Sequence, residues 1–177
     1  GGRLIVRDVV GTEHGDQEVT LVCETTDGDE LPPEQVPTDR PTEILRRLST
    51  SSRFRLFADD FLKELRSKHR RDAESKVRFK ETPQGFRLTL RTATEFLSKK
   101  DYVDNWRSEM NEEFCFWSFP RWRAALGEAG FHVVEAGSQA AVGSRAYANP
   151  WIVEHRYHGH ARLVAVDDPA REIEFPP

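Results

Sequence analysis

The chain begins GGRLIVRDVV, in which Leu4, Ile5, Val6, Val9 and Val10 crowd around only two charged residues, Arg7 and Asp8. A nearly continuous apolar run of this kind fits a strand covered on both faces, as in the middle of a parallel sheet with helices above and below. It predicts a strand over residues 3–10 and an α/β fold large enough to bury it. The chain meets that demand: 177 residues at 37% hydrophobic suffice for one globular core and exclude a disordered tail.

No run reaches the eighteen or so apolar residues of a membrane span, and no charged stretch leads into a small-residue cleavage site. The expectation is a cytoplasmic protein with no membrane partner. Cys23 and Cys115 lie far apart and in no Cys-x-x-Cys spacing, so neither a zinc site nor a disulfide framework is indicated.

Net charge is −4, and this small value hides segregation. Residues 1–39 carry two basic and ten acidic residues (−8), residues 40–100 seventeen and eight (+9), and residues 101–177 seven and twelve (−5). The basic centre includes KELRSKHRRDAESKVRFK, which suits either phosphate neutralisation on an RNA or phosphorylated substrate, or a solvated face that meets the acidic flanks of the same chain.

Val19, Leu21 and Cys23 alternate as in a strand, and the proline-rich DGDELPPEQVPTDRP that follows reads as a loop or linker. A helix is expected to begin near Thr42. A longer one is expected over 52–68, where Phe54, Phe57, Phe61 and Leu65 recur at three- and four-residue spacing. Val77 and Phe79, then TPQG, then Phe86, Leu88 and Leu90 spell a β-hairpin. Thr92-Ala-Thr-Glu95 has the form of a capping box at a helix start. DYVDNWRSEMNEE predicts a further helical turn or two, and FCFW an extended run or buried corner.

Ser118 can cap a helix over PRWRAALGEA, with Trp122, Leu126 and Ala129 on one face and Gly130 as its stop. Strands are expected over Phe131–Ala136 and about Ala161–Val166.

Gly1, Gly2, Arg3, Leu4, Ile5, Val6, Arg7 and Asp8 at one end, and Trp122, Leu126, Ala129, Gly130, Phe131, Val133 and Val134 near the other, resemble the C-terminal half of class I S-adenosylmethionine-dependent methyltransferases. The resemblance covers residues 1–10 and 118–167. It implies an α/β fold: the C-terminal portion of a Rossmann-like sheet, family strands five, seven and six, with residues 40–117 inserted as a mainly helical substrate or lid subdomain. Residues 1–177 would be a single domain within a longer parent. Family strand five would pair with seven, the strand near Leu163, leaving an open edge able to pair with a second copy in a dimer.

The resemblance implies S-adenosylmethionine as cofactor. The glycine-rich turn that approaches such a cofactor is not found in the sequence, so the cofactor would be held mainly by an N-terminal half outside it.

Asp8 ends the first strand on the crevice side of such a sheet. In metal-dependent members of the family an Asp-Asn pair stands there. Here the pair is Asp8-Val9, which weakens a metal role and leaves a carboxylate facing substrate or water.

Tyr102, Trp106 and Trp117, set among Asp101, Asp104, Glu109, Glu112 and Glu113, could form a pocket for a small-molecule acceptor, or could be core aromatics with a solvated acidic face. Asn149 and Trp151 join Tyr102, Trp106, Glu113 and Trp117 as candidate substrate-binding residues. His155, His158 and His160 suggest a metal cluster, but strand geometry sends His155 away from the other two, so no metal site is expected. His155 remains a candidate general base, its ordinary pKa lying near 6.5. The leading expectation is part of a methyltransferase acting on an O, N or C acceptor; the alternative is a non-enzymatic RNA-binding or protein-interaction module using residues 40–100.

Overall fold

The computed structural model describes residues 13–23, 48–68, 71–133 and 161–173, together with Leu4, Ile44 and Leu45. Strand β1, Glu18–Cys23, forms where Val19 and Leu21 alternate with polar neighbours, and both are fully buried. Helix α1, Thr50–Ser67, starts at Ser49, whose Oγ accepts the Ser52 N–H at 3.2 Å. Phe54, Phe57, Phe61 and Leu65 make its buried stripe, as their spacing predicts.

A short helix α2, Ala73–Lys76, leads into β2, Phe79–Thr82, and β3, Gly85–Thr89. These two strands form the expected hairpin, with Pro83 and Gln84 as its two-residue loop.

Helix α3, Leu90–Lys99, begins three residues before the expected position. Its cap is Thr89, whose hydroxyl accepts the Thr92 N–H at 3.3 Å, so the Thr92–Glu95 capping box is not used. The reason is visible in the interior: the Glu95 carboxylate is occupied elsewhere. A 3-10 turn at Val103–Asn105 and helix α4, Trp106–Asn111, follow.

Helix α5, Phe119–Glu128, starts at Ser118 and ends where expected. The Phe131 N–H donates to the Leu126 carbonyl at 2.9 Å and the Gly130 N–H to the Gly127 carbonyl at 3.0 Å, with Gly130 at φ +85°. These paired bonds are a Schellman stop, which requires the left-handed conformation that glycine adopts freely. Phe131–Val133 are not in a strand, and the rest of the strand expected there lies outside the described residues. Strand β4 is Ala161–Ala165.

The sheet order is β2-β3-β1-β4, with every neighbouring pair antiparallel. In chain order, β1-α1-β2 and β3-α3-β4 are two interlocked β-α-β units, each enclosing a strand of the other, the split β-α-β arrangement. Registers Val19↔Leu88, Leu21↔Phe86 and Leu21↔Leu163 place the apolar residues of the central strands on one face. There Phe54 of α1 meets Phe86 at 4.4 Å, Phe79 at 5.1 Å and Phe96 of α3 at 5.2 Å between ring centroids, joining two helices to the hairpin.

The α/β class therefore holds, with antiparallel rather than parallel pairing among the described strands. The opening strand at 3–10 lies outside the described residues apart from Leu4. The strand near Leu163, expected to run beside it, takes β1 as its partner, because Leu163 and Ala165 complete the apolar face of Val19 and Leu21. On its other side β4 is covered by the returning chain: Ile173 N–H donates to Leu163 O at 2.8 Å and Ala165 N–H to Arg171 O at 2.9 Å. The hairpin from the expected insertion shares this sheet and its core.

Gly85, at φ +144°, lies flat against the backbone of β1, where an added Cβ would collide with the Leu21 carbonyl. Gly85→Ala is expected to destabilise the protein by about 2–4 kcal/mol, since strain and a clash at the centre of the sheet act together. Urea unfolding measures it, and a loss below about 0.5 kcal/mol would mean that β3 does not approach β1 as described.

Candidate functional site

Helix α3 is buried on almost every side, yet it carries Glu95 and Lys99, 4% and 0% exposed. Their i,i+4 spacing brings Lys99 Nζ to 2.6 Å from Glu95 Oε1. An ammonium has three protons to place, and the other two go to the carbonyls of Glu109 and Glu112, each at 2.6 Å. The rings of Phe61 and Phe114 lie 4.6 and 5.1 Å from the same nitrogen, an aromatic lining that further stabilises the cation. Glu95 in turn accepts the Phe114 N–H, at 3.1 and 3.2 Å to its two oxygens.

Two side chains of α3 thus hold the backbone from Glu109 to Phe114. Lys76 adds an ion pair to Glu113 at 2.5 Å, and Lys68 Nζ donates to the Asn111 carbonyl. Burial pushes the Glu95 carboxyl up to about 7, outweighing the Lys99 charge and hydrogen bond and the Phe114 N–H that pull it down. Burial and the neighbouring Glu112 also raise Glu109, against the opposing pull of Lys99.

The anchored segment then turns a corner. Phe116 has φ +50°, the only positive value at a non-glycine residue among those described, a conformation costing about 1–2 kcal/mol for a side chain of this size. Its surroundings hold it there. The ring is buried, a Cβ at Gly15 would touch it at 3.0 Å, and the Arg91 guanidinium lies 5.3 Å over its face while Nη1 donates to the Cys115 carbonyl at 3.3 Å. The corner delivers Trp117 half-exposed beside α5, where it meets Trp122 with centroids 5.0 Å apart and Arg121 lies 4.7 Å over its ring. This aromatic and cationic surface can stack a planar group or receive a cationic one.

The expected substrate-binding residues divide accordingly. Trp117 is on this surface. Trp106 is core, 7% exposed, with its indole N–H donated to Asp60 at 3.1 Å. Glu113 is bound to Lys76, and half-buried Tyr102 opens the 3-10 turn, its N–H donated to Lys99 O at 3.0 Å. Asp8, Asn149, Trp151, His155, His158 and His160 lie outside the described residues. Sequence reading missed Lys99, Arg91, Arg121 and the strain at Phe116. The Glu95–Lys99 spacing was a legible signal for the first, and nothing local marked the others.

Charges across the basic centre are extensively matched from within the chain. Arg55 pairs with Glu81 at 3.0 Å, Arg66 with Glu74 at 2.5 Å and Lys63 with Asp60 at 3.2 Å. The acidic flanks contribute as well: Glu18 to Arg87 at 2.6 Å, and Asp101 to Lys100 at 2.5 Å and Arg53 at 3.3 Å. Cys23 is no nucleophile, because burial pushes its thiol up to about 12 against the pull of Arg55 and Lys100.

Among the described residues no group of three or more His, Cys, Asp or Glu could hold a metal ion, and no helix is long and apolar enough to cross a membrane. Nor do the described residues fit S-adenosylmethionine. Gly15 is filled by Phe116 and Gly85 by β1, while Gly127 and Gly130 belong to the end of α5, so none of the described glycines offers open backbone at the end of a strand.

Lys99→Met leaves Glu95 buried without its cation and is expected to cost about 3–5 kcal/mol. Thr94→Val in the same helix removes a buried hydroxyl that has no partner and should be neutral or stabilising by up to about 1 kcal/mol, a contrast that chemical denaturation resolves.

The folded state holds the Glu95 proton more tightly than the unfolded chain does. Stability from this group is therefore full below about pH 4.5 and is lost as pH rises through about 7. Thermal unfolding followed across that interval should show the decline, and Glu95→Gln should flatten it; an unchanged slope in the variant would assign the decline to other groups.

Comparison of the chain with protein-family models, curated proteins and solved structures finds no match.

Proposed function

We propose that these 177 residues are the acceptor side of a methyltransferase, part of an enzyme that moves a methyl group from S-adenosylmethionine to an O, N or C nucleophile. The observation that carries the reading is the paired resemblance at Gly1–Asp8 and Trp122–Val134. The helix over Phe119–Glu128 and its Gly130 stop support it, although Phe131–Val133, which the second motif reads as the start of a strand, are not in one. So does Trp117, an aromatic surface held on a strained and well-anchored corner, the kind of rigid contact that positions an acceptor. The donor does not fit the described residues, so in this reading it is held by sequence outside them.

Against the alternative of an RNA-binding module stands the pairing of Arg53, Arg55, Lys63, Arg66, Lys76, Arg87, Lys99 and Lys100 with the chain's own acids. Each such pair reduces the charge available to phosphates.

The test is transfer of labelled methyl from S-adenosylmethionine by the protein encoded in the whole reading frame, with calorimetry of the 177-residue chain beside it. The whole protein should bind the donor and the chain alone should not. With an acceptor in hand, Trp117→Ala should raise KM about tenfold or more at nearly constant kcat. Strong donor binding by the chain alone, or a reading frame without a glycine-rich strand-to-helix turn, would overturn the reading.

A further inference from the structure

The stretch from Glu112 to Ser118 has no helix or strand of its own, yet it carries the strained Phe116 and positions Trp117. Several groups hold it to the interior: Lys99 at the Glu112 carbonyl, Lys76 at Glu113, Arg91 at the Cys115 carbonyl and the buried Phe116 ring, with Glu95 taking the Phe114 N–H. Glu95 accepts the Phe114 N–H with both oxygens and also takes one of the three Lys99 protons.

We propose that Glu95 is a proton-operated latch: ionised, it fastens the Phe114 backbone to α3, and protonated, it loosens the Phe114 N–H, so that Trp117, three residues on, shifts against Trp122 and Arg121. The reaction is the addition of one proton to one carboxylate. A neutral carboxyl is a weaker acceptor for the Phe114 N–H than a carboxylate. Neutralising Glu95 takes away the carboxylate partner of the Lys99 ammonium, which then rests on the carbonyls of Glu109 and Glu112 and the rings of Phe61 and Phe114.

The charges around Glu95 favour proton uptake. Lys99, on its own helix, holds it ionised. Glu113 on the fastened segment repels its charge, although Lys76 of α2 partly neutralises Glu113. The Glu109 carboxylate also feels Lys99, while Glu109 and Glu112 present their backbone carbonyls to the same ammonium. From α1 come the Phe61 ring and Lys68, which is committed to the Asn111 carbonyl. Burial is the largest influence on Glu95, opposed by Lys99 and the Phe114 N–H and assisted by Glu113, and the consequence is a carboxyl raised to about 7. The inference is independent of methyl transfer, since it concerns the position of Trp117 whatever that residue binds.

Nuclear magnetic resonance of the 177-residue chain between pH 5 and 8.5 tests it. The Glu95 carboxyl carbon, the Phe114 amide and the Trp117 indole N–H should shift together with one midpoint near pH 7, and Glu95→Gln should hold the last two at fixed positions throughout. A Glu95 midpoint near its ordinary 4.5, or Phe114 and Trp117 resonances that ignore the Glu95 midpoint, would overturn the latch. Should Glu95→Gln fail to fold, the wild-type titration decides the matter by itself.

Discussion

A charged pair inside a buried helix is the constraint that organises this molecule. Helix α3 lies against β1 and β3 and is enclosed by α1, α4 and the segment after α4, so Glu95 and Lys99 are almost wholly withdrawn from water. The cost of burying an unpaired charge is several kcal/mol, and it is avoided here by giving every Lys99 proton an acceptor. Those acceptors are the backbone carbonyls at the end of α4 and just after it. The need to satisfy one ammonium therefore fixes the course of chain that has no regular structure, and through Phe116 the position of Trp117.

Aromatic residues serve two purposes that their sequence positions do not distinguish. Phe54, Phe57, Phe79, Phe86 and Phe96 form a ring cluster joining α1, the hairpin and α3, with centroid separations from 4.4 to 6.2 Å. Trp106 belongs with them, anchored by Asp60. Trp117 and Trp122 lie outside that cluster, half-exposed on each other, with Arg121 over one ring. Of the two readings open for Tyr102, Trp106, Glu113 and Trp117, packing and ion pairing account for Trp106 and Glu113, while Trp117 keeps an open surface.

Much of the local structure was legible because it is set by neighbours in sequence. The stripe of α1, the β2–β3 hairpin, the alternation in β1 and the Gly130 stop each depend on spacing within about twenty residues. The capping box at Thr92 was misread for an instructive reason. Thr and Glu three apart have the right form, but the Glu95 carboxylate gains more from Lys99 and the Phe114 N–H than from a helix start, and Thr89 was free to cap instead.

By itself the sequence determined the α/β class and the place of most described helices and strands. Tertiary structure decided which strands meet. The Leu163 strand chose Glu18–Cys23, and the hairpin joined the same sheet, because only that register puts Leu21, Phe86 and Leu163 on one apolar face. It also decided the strain at Phe116 and the surroundings of Lys99, which rest on Gly15, Arg91, Glu109 and Glu112. Burial brings distant residues into one low-dielectric space and makes each polar group find a partner there, and no local pattern encodes that choice.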